Sequence, residues 1–332
     1  MGSMDVGNKS WNVQRLNVQE FSDHTRGKLM NVFSQPIFSE LNRSKVDDIW
    51  YLLVNKGGSS RFAVTMGIAG ERALCPFSAP FGYPEAIKDG LGVDSYKEVG
   101  CVLDDYFSNN GIKSVRFTFP PSFYDPRAIE TWMNVLFYLG WSIETIDISF
   151  GFHIPTILEN YDAKIARNAR KNLRIAREAG LCLTHCETPA QKDEAYRVIK
   201  INRDSKGYPL RMTQMQVQQT MQVLSSNEYL ISCENENIAA ALVYDVTPSV
   251  AQVIYWGDVP GHSEKKSINY LAYELLKLYS QRGFEYLDIG PSTENGMPNY
   301  GLCDFKDSIG CQRTAKYSLV KTYTVEQDVT HG

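Results

Sequence analysis

One unit of helix, helix-ending glycine and strand occurs twice in this chain, half a chain apart. The stretch "FSNNGIKSVRFTF" spans Phe107 to Phe119, and "YSQRGFEYLDIGPS" spans Tyr279 to Ser292. A shift of 172 places Ser95 on Ser267, Leu103 on Leu275, Ser108 on Ser280 and Gly111 on Gly283. The same shift sets Val115 on Leu287 and Phe117 on Ile289, so the apolar positions of the strands coincide. A repeat decides architecture before any single element does. This one predicts a tandem duplication of one α/β domain, with domains at 1–155 and 156–332.

The 332 residues suit two domains of roughly 150 residues each. With 43% hydrophobic residues, the chain has enough apolar material for two buried cores. No apolar run reaches the roughly 18 residues of a membrane span, and the start "MGSMDVGNKS" lacks the build of a signal peptide. Met1 to Ser3 read as an expression remnant, with Met4 as the native start. Seven cysteines without paired spacing predict reduced thiols and a cytoplasmic location. "LCLTHCE" sets Cys182 and Cys186 on one strand face and His185 on the other, with no second ligand cluster, so no metal site is predicted. The net charge of −4 does not suggest DNA as a partner.

Along the chain, "DDIWYLLVNKGGSSRFAVTMGIAGERALCPF" reads as strands broken at Gly57-Gly58 and Gly70. A helix over Ser95–Asn110, the strand "SVRFTF", a helix from Pro126 to Gly140 and the strand "SIETIDISF" complete the first half. The second half opens on a single helix, "NYDAKIARNARKNLRIAREAG". Ile165, Ala169, Leu173 and Ala176 form its apolar stripe. A strand, two helices, three strands, the helix Ser267–Arg282 and the strand "FEYLDIG" follow. "CDFKDSIGCQRTAKYSLVKTY" closes the chain as a strand pair. The order predicts a mixed α/β sheet (α+β), not a doubly wound parallel one.

The segment "YWGDVPGHSEKKSINYLAYELL" ends a strand at Asp258 and starts a helix at Ser267, whose inner side carries Ile268, Leu271 and Leu275. A helix N-terminus offers free N–H groups and partial positive charge, which suit phosphate. Gly261 lets the backbone approach a ligand, and Lys265 and Lys266 add charge. Asp258 sits where a base would be useful, and Asp288 lies inside a strand, either paired or aimed into a cleft.

Strand, glycine loop, helix and diverging strand resemble the core of the GNAT acyltransferase fold. "NARKNLRIAREAGL", "RDSKGYPL", "INYLAYELLKLYSQRGFEYLDIGPS" and "CDFKDSIG", in that order, resemble the FemAB-like branch of that superfamily. They cover about Asn160 to Gly310. The resemblance implies two GNAT-like halves with a cleft between them, a degenerate first copy on the acceptor side and a second copy holding the donor site and catalysis. It implies transfer of an acyl group from an acyl-CoA, with acetyl-CoA as co-substrate and no tightly bound cofactor, to an amine acceptor. A peptidoglycan-type aminoacyltransferase using tRNA, and a non-catalytic binding module, stay open as alternatives. "VPGHSEKK" has one glycine where the GNAT motif Q/R-x-x-G-x-G/A has two small residues.

Under this resemblance Lys306 is the motif lysine, placed at an oxyanion or a donor phosphate, and Tyr300 sits where GNAT enzymes keep a tyrosine acid. Asp258 is the candidate base and Asp288 a further catalytic acid. Gly261, Lys265, Lys266, Ser267 and Ile268 would hold the donor. Arg167, Lys171 and Arg174 on the basic helix would meet a phosphorylated substrate or tRNA end. Tyr208, Arg211 and Tyr83 would border the acceptor.

Overall fold

The computed structural model describes residues 10–323. Among them, the residues up to Ile146 together with those from Lys316 onward form one compact unit, and Asp147–Ala315 form a second. The chain's last strand thus leaves the second unit and finishes in the first. The 155/156 boundary expected from the repeat does not include that return.

The first unit begins with β1 (Trp11–Leu16), α1 (Val18–Thr25) and α2 (Pro36–Leu41). β2 (Asp48–Lys56), β3 (Ser59–Ala69), β4 (Arg72–Cys75) and the short β5 (Glu85–Ala86) follow. α3 (Val93–Asn109), β6 (Ser114–Thr118), α4 (Pro126–Tyr138) and β7 (Ser142–His153) complete the run. Gly57 and Gly58, at φ +55° and +74°, make the tight turn that joins β2 to β3; a side chain would strain there. The sheet runs β1-β2-β3-β4-β6, and only β4 and β6 are parallel. Parallel neighbours need a crossover, and α3 lies within it. Val99, Leu103, Phe107, Phe117 and Trp132 are among the buried side chains of its core.

The second unit holds α5 (Ile154–Leu158), α6 (Tyr161–Lys164), α7 (Arg167–Glu178), β8 (Cys182–His185), α8 (Pro189–Lys206) and α9 (Gln214–Val223). Next come β9 (Ser226–Cys233), β10 (Glu236–Asp245), β11 (Val250–Asp258), α10 (Ser267–Gln281) and β12 (Tyr286–Pro291). The small β13 (Thr293–Glu294) and β14 (Met297–Pro298), α11 (Tyr300–Ser308) and β15 (Gln312–Thr322) end it. The sheet order is β7-β12-β11-β10-β9-β8, and again one pair, β11–β12, is parallel, with α10 in its crossover. Under the 172-residue shift α3 falls on α10, and Ser114, first residue of β6, falls on Tyr286, first residue of β12. The duplication and the mixed α/β sheets are therefore present.

Two readings of the sequence are corrected. The closing segment is not a strand pair: Asn299 Oδ1 accepts the Leu302 N–H at 3.0 Å and starts α11, and only β15 is extended. Cys303, Lys306 and Ile309 form the buried side of this last turn-and-a-half at a spacing of three. A lysine on that side hides the helical period. The basic helix is also broken. Ile165 is extended, and the Ala166 N–H donates to the Ser308 carbonyl at 2.9 Å instead of continuing a helix from α6.

β15 joins the first unit through both backbone and side chains. Ser318–Thr322 pair antiparallel with Ser114–Thr118 of β6. Lys321 Nζ lies 2.5 Å from Asp104 of α3 and donates to the Leu139 carbonyl at 2.9 Å. The Tyr323 hydroxyl donates to Asp104 at 2.8 Å.

Candidate active site

The second unit's parallel ladder is short. β11 and β12 pair at Val250–Tyr286, Ala251–Leu287 and Gln252–Asp288, and no further. β11 runs on to Asp258 and β12 to Pro291, so the strands part beyond Gln252 and Asp288. Opposite Leu242 and Val243 of β10, Ile254 is an extra residue in β11, a bulge that shifts the register there. On β12 the register to β7 slips between Asp288 and Pro291, where Gly290 takes φ +72°, a left-handed value open to glycine.

Polar groups gather at the point of divergence. Asp288 is fully buried; it accepts the Gln252 Nε2–H at 2.8 Å and the Gly290 N–H at 2.7 Å. Gln252 Oε1 is buried and has no partner, an acceptor left open at the apex. Lys306 is buried on α11 and donates to the carbonyls of Ile289 and Gly290 at 2.8 Å and of Pro291 at 3.2 Å. These are residues of the stretch where β12 leaves β11. All three ammonium hydrogens are engaged, so in this arrangement Lys306 holds the splayed strand and has no hydrogen left for an oxyanion. Burial pulls its pKa down to about 8, against the pull of Cys311 and Asp288; with three carbonyls around it, the ammonium is the form present at neutral pH.

The N-terminus of α10 stands after the far end of β11. Gly261 (φ +94°) and Lys266 (φ +54°) shape the approach, and no side chain caps the helix. Ser267, its first residue, is buried with its Oγ unpartnered. Free N–H groups, an orphan hydroxyl and two lysines, Lys265 and Lys266, that enter no ion pair among the described residues make a place for an anion. Ile268 is half-buried against the core. The matching helix of the first unit, α3, starts with Asp94 in its first turn and offers no such place.

The other expected residues fall into four groups. Asp258 accepts from Asn202 Nδ2 at 3.2 Å and lies 3.4 Å from Lys206 Nζ. Tyr208, Arg211 and Tyr300 line up along two segments of the second unit. The Tyr208 hydroxyl accepts from Asn299 Nδ2 at 3.1 Å, Arg211 pairs with Glu294 at 2.9 Å, and Tyr300 is 75% exposed at the start of α11. On α7, Ala169, Leu173 and Ala176 are buried and the helix packs on α10 and α11, so Arg167, Lys171 and Arg174 face out. Arg174 is 3.9 Å from Glu178; Arg167 and Lys171 enter no ion pair among the described residues. Tyr83 is not a surface lip: it is buried in the first unit's core, its ring 5.4 Å from that of Phe119.

Two residues escaped the sequence reading. Gln252 gave no signal, because its importance lies in where a ladder ends. Arg203 did give one: it stands four residues after the buried Ile199 on α8, on the inward side of the helix.

No protein-family model matches the sequence, and no curated relative matches it either. Solved structures do match its fold. The crystal structure of FemX superposes with a TM-score of 0.67 at 12% identity, covering 94% of this chain and 97% of that one. The C-terminal domain of a putative lysylphosphatidylglycerol synthetase from Agrobacterium fabrum gives 0.59 at 12% identity, with 92% and 93% covered. A tandem GNAT protein from the clavulanic acid biosynthesis pathway gives 0.51 at 10% identity, with 96% and 100% covered. With the parallel fork, the repeated crossover helix and these likenesses together, the chain has a tandem GNAT-like fold of the FemAB-like kind.

Proposed function

We propose that the protein transfers an acyl group from an acyl-CoA to an amine, at the fork between β11 and β12. The observation that carries this reading is the ladder's end at Gln252–Asp288, combined with the uncapped N-terminus of α10 and the orphan Ser267 hydroxyl. The α10 N–H groups, Ser267 and Lys265 or Lys266 receive the donor's diphosphate. Beyond Gln252 the side of β11 that faced β12 no longer has that strand as its partner, and an extended amide-bearing arm of the donor fits there. Gln252, bonded to Asp288, closes the apex of the fork where the two strands part. Asp258, close to solvent, takes the amine's proton, and Tyr300 serves as acid to the leaving thiolate. Lys306 keeps β12 splayed so that the reacting carbonyl has room.

A second reading, aminoacyl transfer from a tRNA to a peptide amine, is favoured by the exposed cations of α7. One thermal-shift plate separates the two. A ligand at 100 times its Kd stabilises a protein by about 2.7 kcal/mol. Acetyl-CoA or a longer acyl-CoA is expected to raise Tm while uncharged tRNA does not. A shift with charged tRNA alone supports the second reading, and no shift with any of them leaves a non-catalytic module.

A further inference from the structure

Arg203 lies half-buried on the inner side of α8. Its guanidinium carbon stands 5.2 Å from the centre of the Tyr255 ring and 5.9 Å from that of Tyr208. Its Nε is buried and bonds to nothing. Among the described residues no carboxylate pairs with it, although the same unit pairs Arg177, Arg197, Arg211, Arg282 and Arg313 with acids. Its charge reaches Lys306 and helps depress that lysine's pKa. Burial likewise holds the guanidinium below its ordinary value. A half-buried cation that bonds no acid is costly. Aromatic faces return only part of that cost.

Two contacts bridge the segment after α8 to the segment after β12: Asn299 to Tyr208, and Arg211 to Glu294. Both are exposed pairs, so each is weak and can open for a ligand. Tyr208, one of the rings beside Arg203, belongs to this bridge.

We infer that Arg203 is the receptor for a carboxylate on the acceptor, so that the acceptor class is an amino acid or a peptide presenting a carboxylate near its reacting amine. The guanidinium is flanked by two rings, which leaves its edge as the place for a ligand. That edge presents two parallel N–H groups, and a planar carboxylate matches them in a bidentate pair. The acid–cation pair would form partly out of water, where it is strong. The inference rests on the fork being the acyl-transfer site, since it places the amine near Asp258, which the adjacent Asn202 holds.

The test uses the full chain. Wild type, Arg203→Lys and Arg203→Met are titrated by thermal shift with a panel of free amino acids and their carboxamides, at low ionic strength, without any donor. Wild type is expected to bind at least one acid about 10- to 100-fold more tightly than its amide. Arg203→Met should lose that preference, and Arg203→Lys should keep part of it. Arg203→Met should also melt at the same temperature or higher, since it removes an unpaired cation; a merely structural arginine would lower Tm. Equal binding of acids and amides by wild type, or a preference that survives Arg203→Met, overturns the inference. If the preference is present but no acyl-CoA shifts Tm, the receptor stands and the acyl-CoA reading fails.

Discussion

Glu228 of β9 is 2% exposed, and its Oε2 has no hydrogen-bond partner. Burial pushes its pKa up to about 7; Lys192 opposes that shift and Asp193 adds to it. A carboxyl whose folded pKa is raised binds its proton more tightly folded than unfolded. Stability is therefore highest below the unfolded value, falls as pH rises toward 7, and stays reduced above it. Across that window the penalty is at most about 3 kcal/mol. Glu228→Gln carries no charge and should lose this slope. Urea unfolding at pH 5 and pH 8 should show wild type losing more stability than the variant; parallel losses would mean that water reaches the acid. Lys306 is the opposite case, a buried charge with full partners. Lys306→Met strands three carbonyls, and a loss of about 3 kcal/mol is expected. Because β12 would also relax, kcat should fall on the order of 10²-fold. A variant with wild-type stability and poor kcat would instead put the ammonium on the reacting oxygen.

At the scale of elements, what was legible in the sequence was local. Helix, glycine and strand form a pattern set by neighbours in the chain, so the repeat survives from Ser95–Ser267 to Phe117–Ile289, and α3/β6 and α10/β12 follow it. The fork was only half legible. Its loop and helix could be read, but where the β11–β12 ladder stops goes with a bulge at Ile254 of β11 and a slip of β12 against β7, which no local pattern encodes. α11 was misread because a lysine occupies its buried side, and its partners are carbonyls of another strand. The return of β15 to the first unit was hidden for the same reason, since Lys321 meets Asp104 from more than 200 positions away. Burial raises the Asp104 pKa, although Lys321 and Tyr323 both pull it down. Lys321→Met would leave that acid mostly shielded and short of its cation, a change that costs about 3 kcal/mol in comparable pairs. The second unit holds no partner of Lys321, so the loss should fall on the first. Hydrogen exchange should show faster opening of β6 and α3 while α10 keeps its protection; equal loosening of both units would contradict this assignment.

For the molecule as a whole, charge is uneven. The net charge is −4, yet α7 alone carries five Lys or Arg. A net negative protein repels a polyanion at long range, and only a local basic face can reverse that at short range. The helix's apolar side fixes the orientation of that face. Arg167, Lys171 and Arg174 stand at i, i+4 and i+7, so they share one side. If this side meets a phosphorylated acceptor or a tRNA end, the double change Arg167→Glu/Arg174→Glu should weaken binding steeply at low salt. The fold should remain, because the buried Ala169, Leu173 and Ala176 are untouched. Wild-type affinity should itself fall as salt rises, since exposed charges are screened beyond roughly 10 Å at 0.1 M salt. Filter binding of charged and uncharged tRNA, and KM for an amine acceptor, measured from 20 to 300 mM salt, separate the outcomes. A drop in tRNA binding alone would make α7 the face of an aminoacyl donor. A rise in acceptor KM alone would make it part of the acceptor site. Unchanged values for both at low salt would leave α7 as a solvated face, and the fork would then work without it.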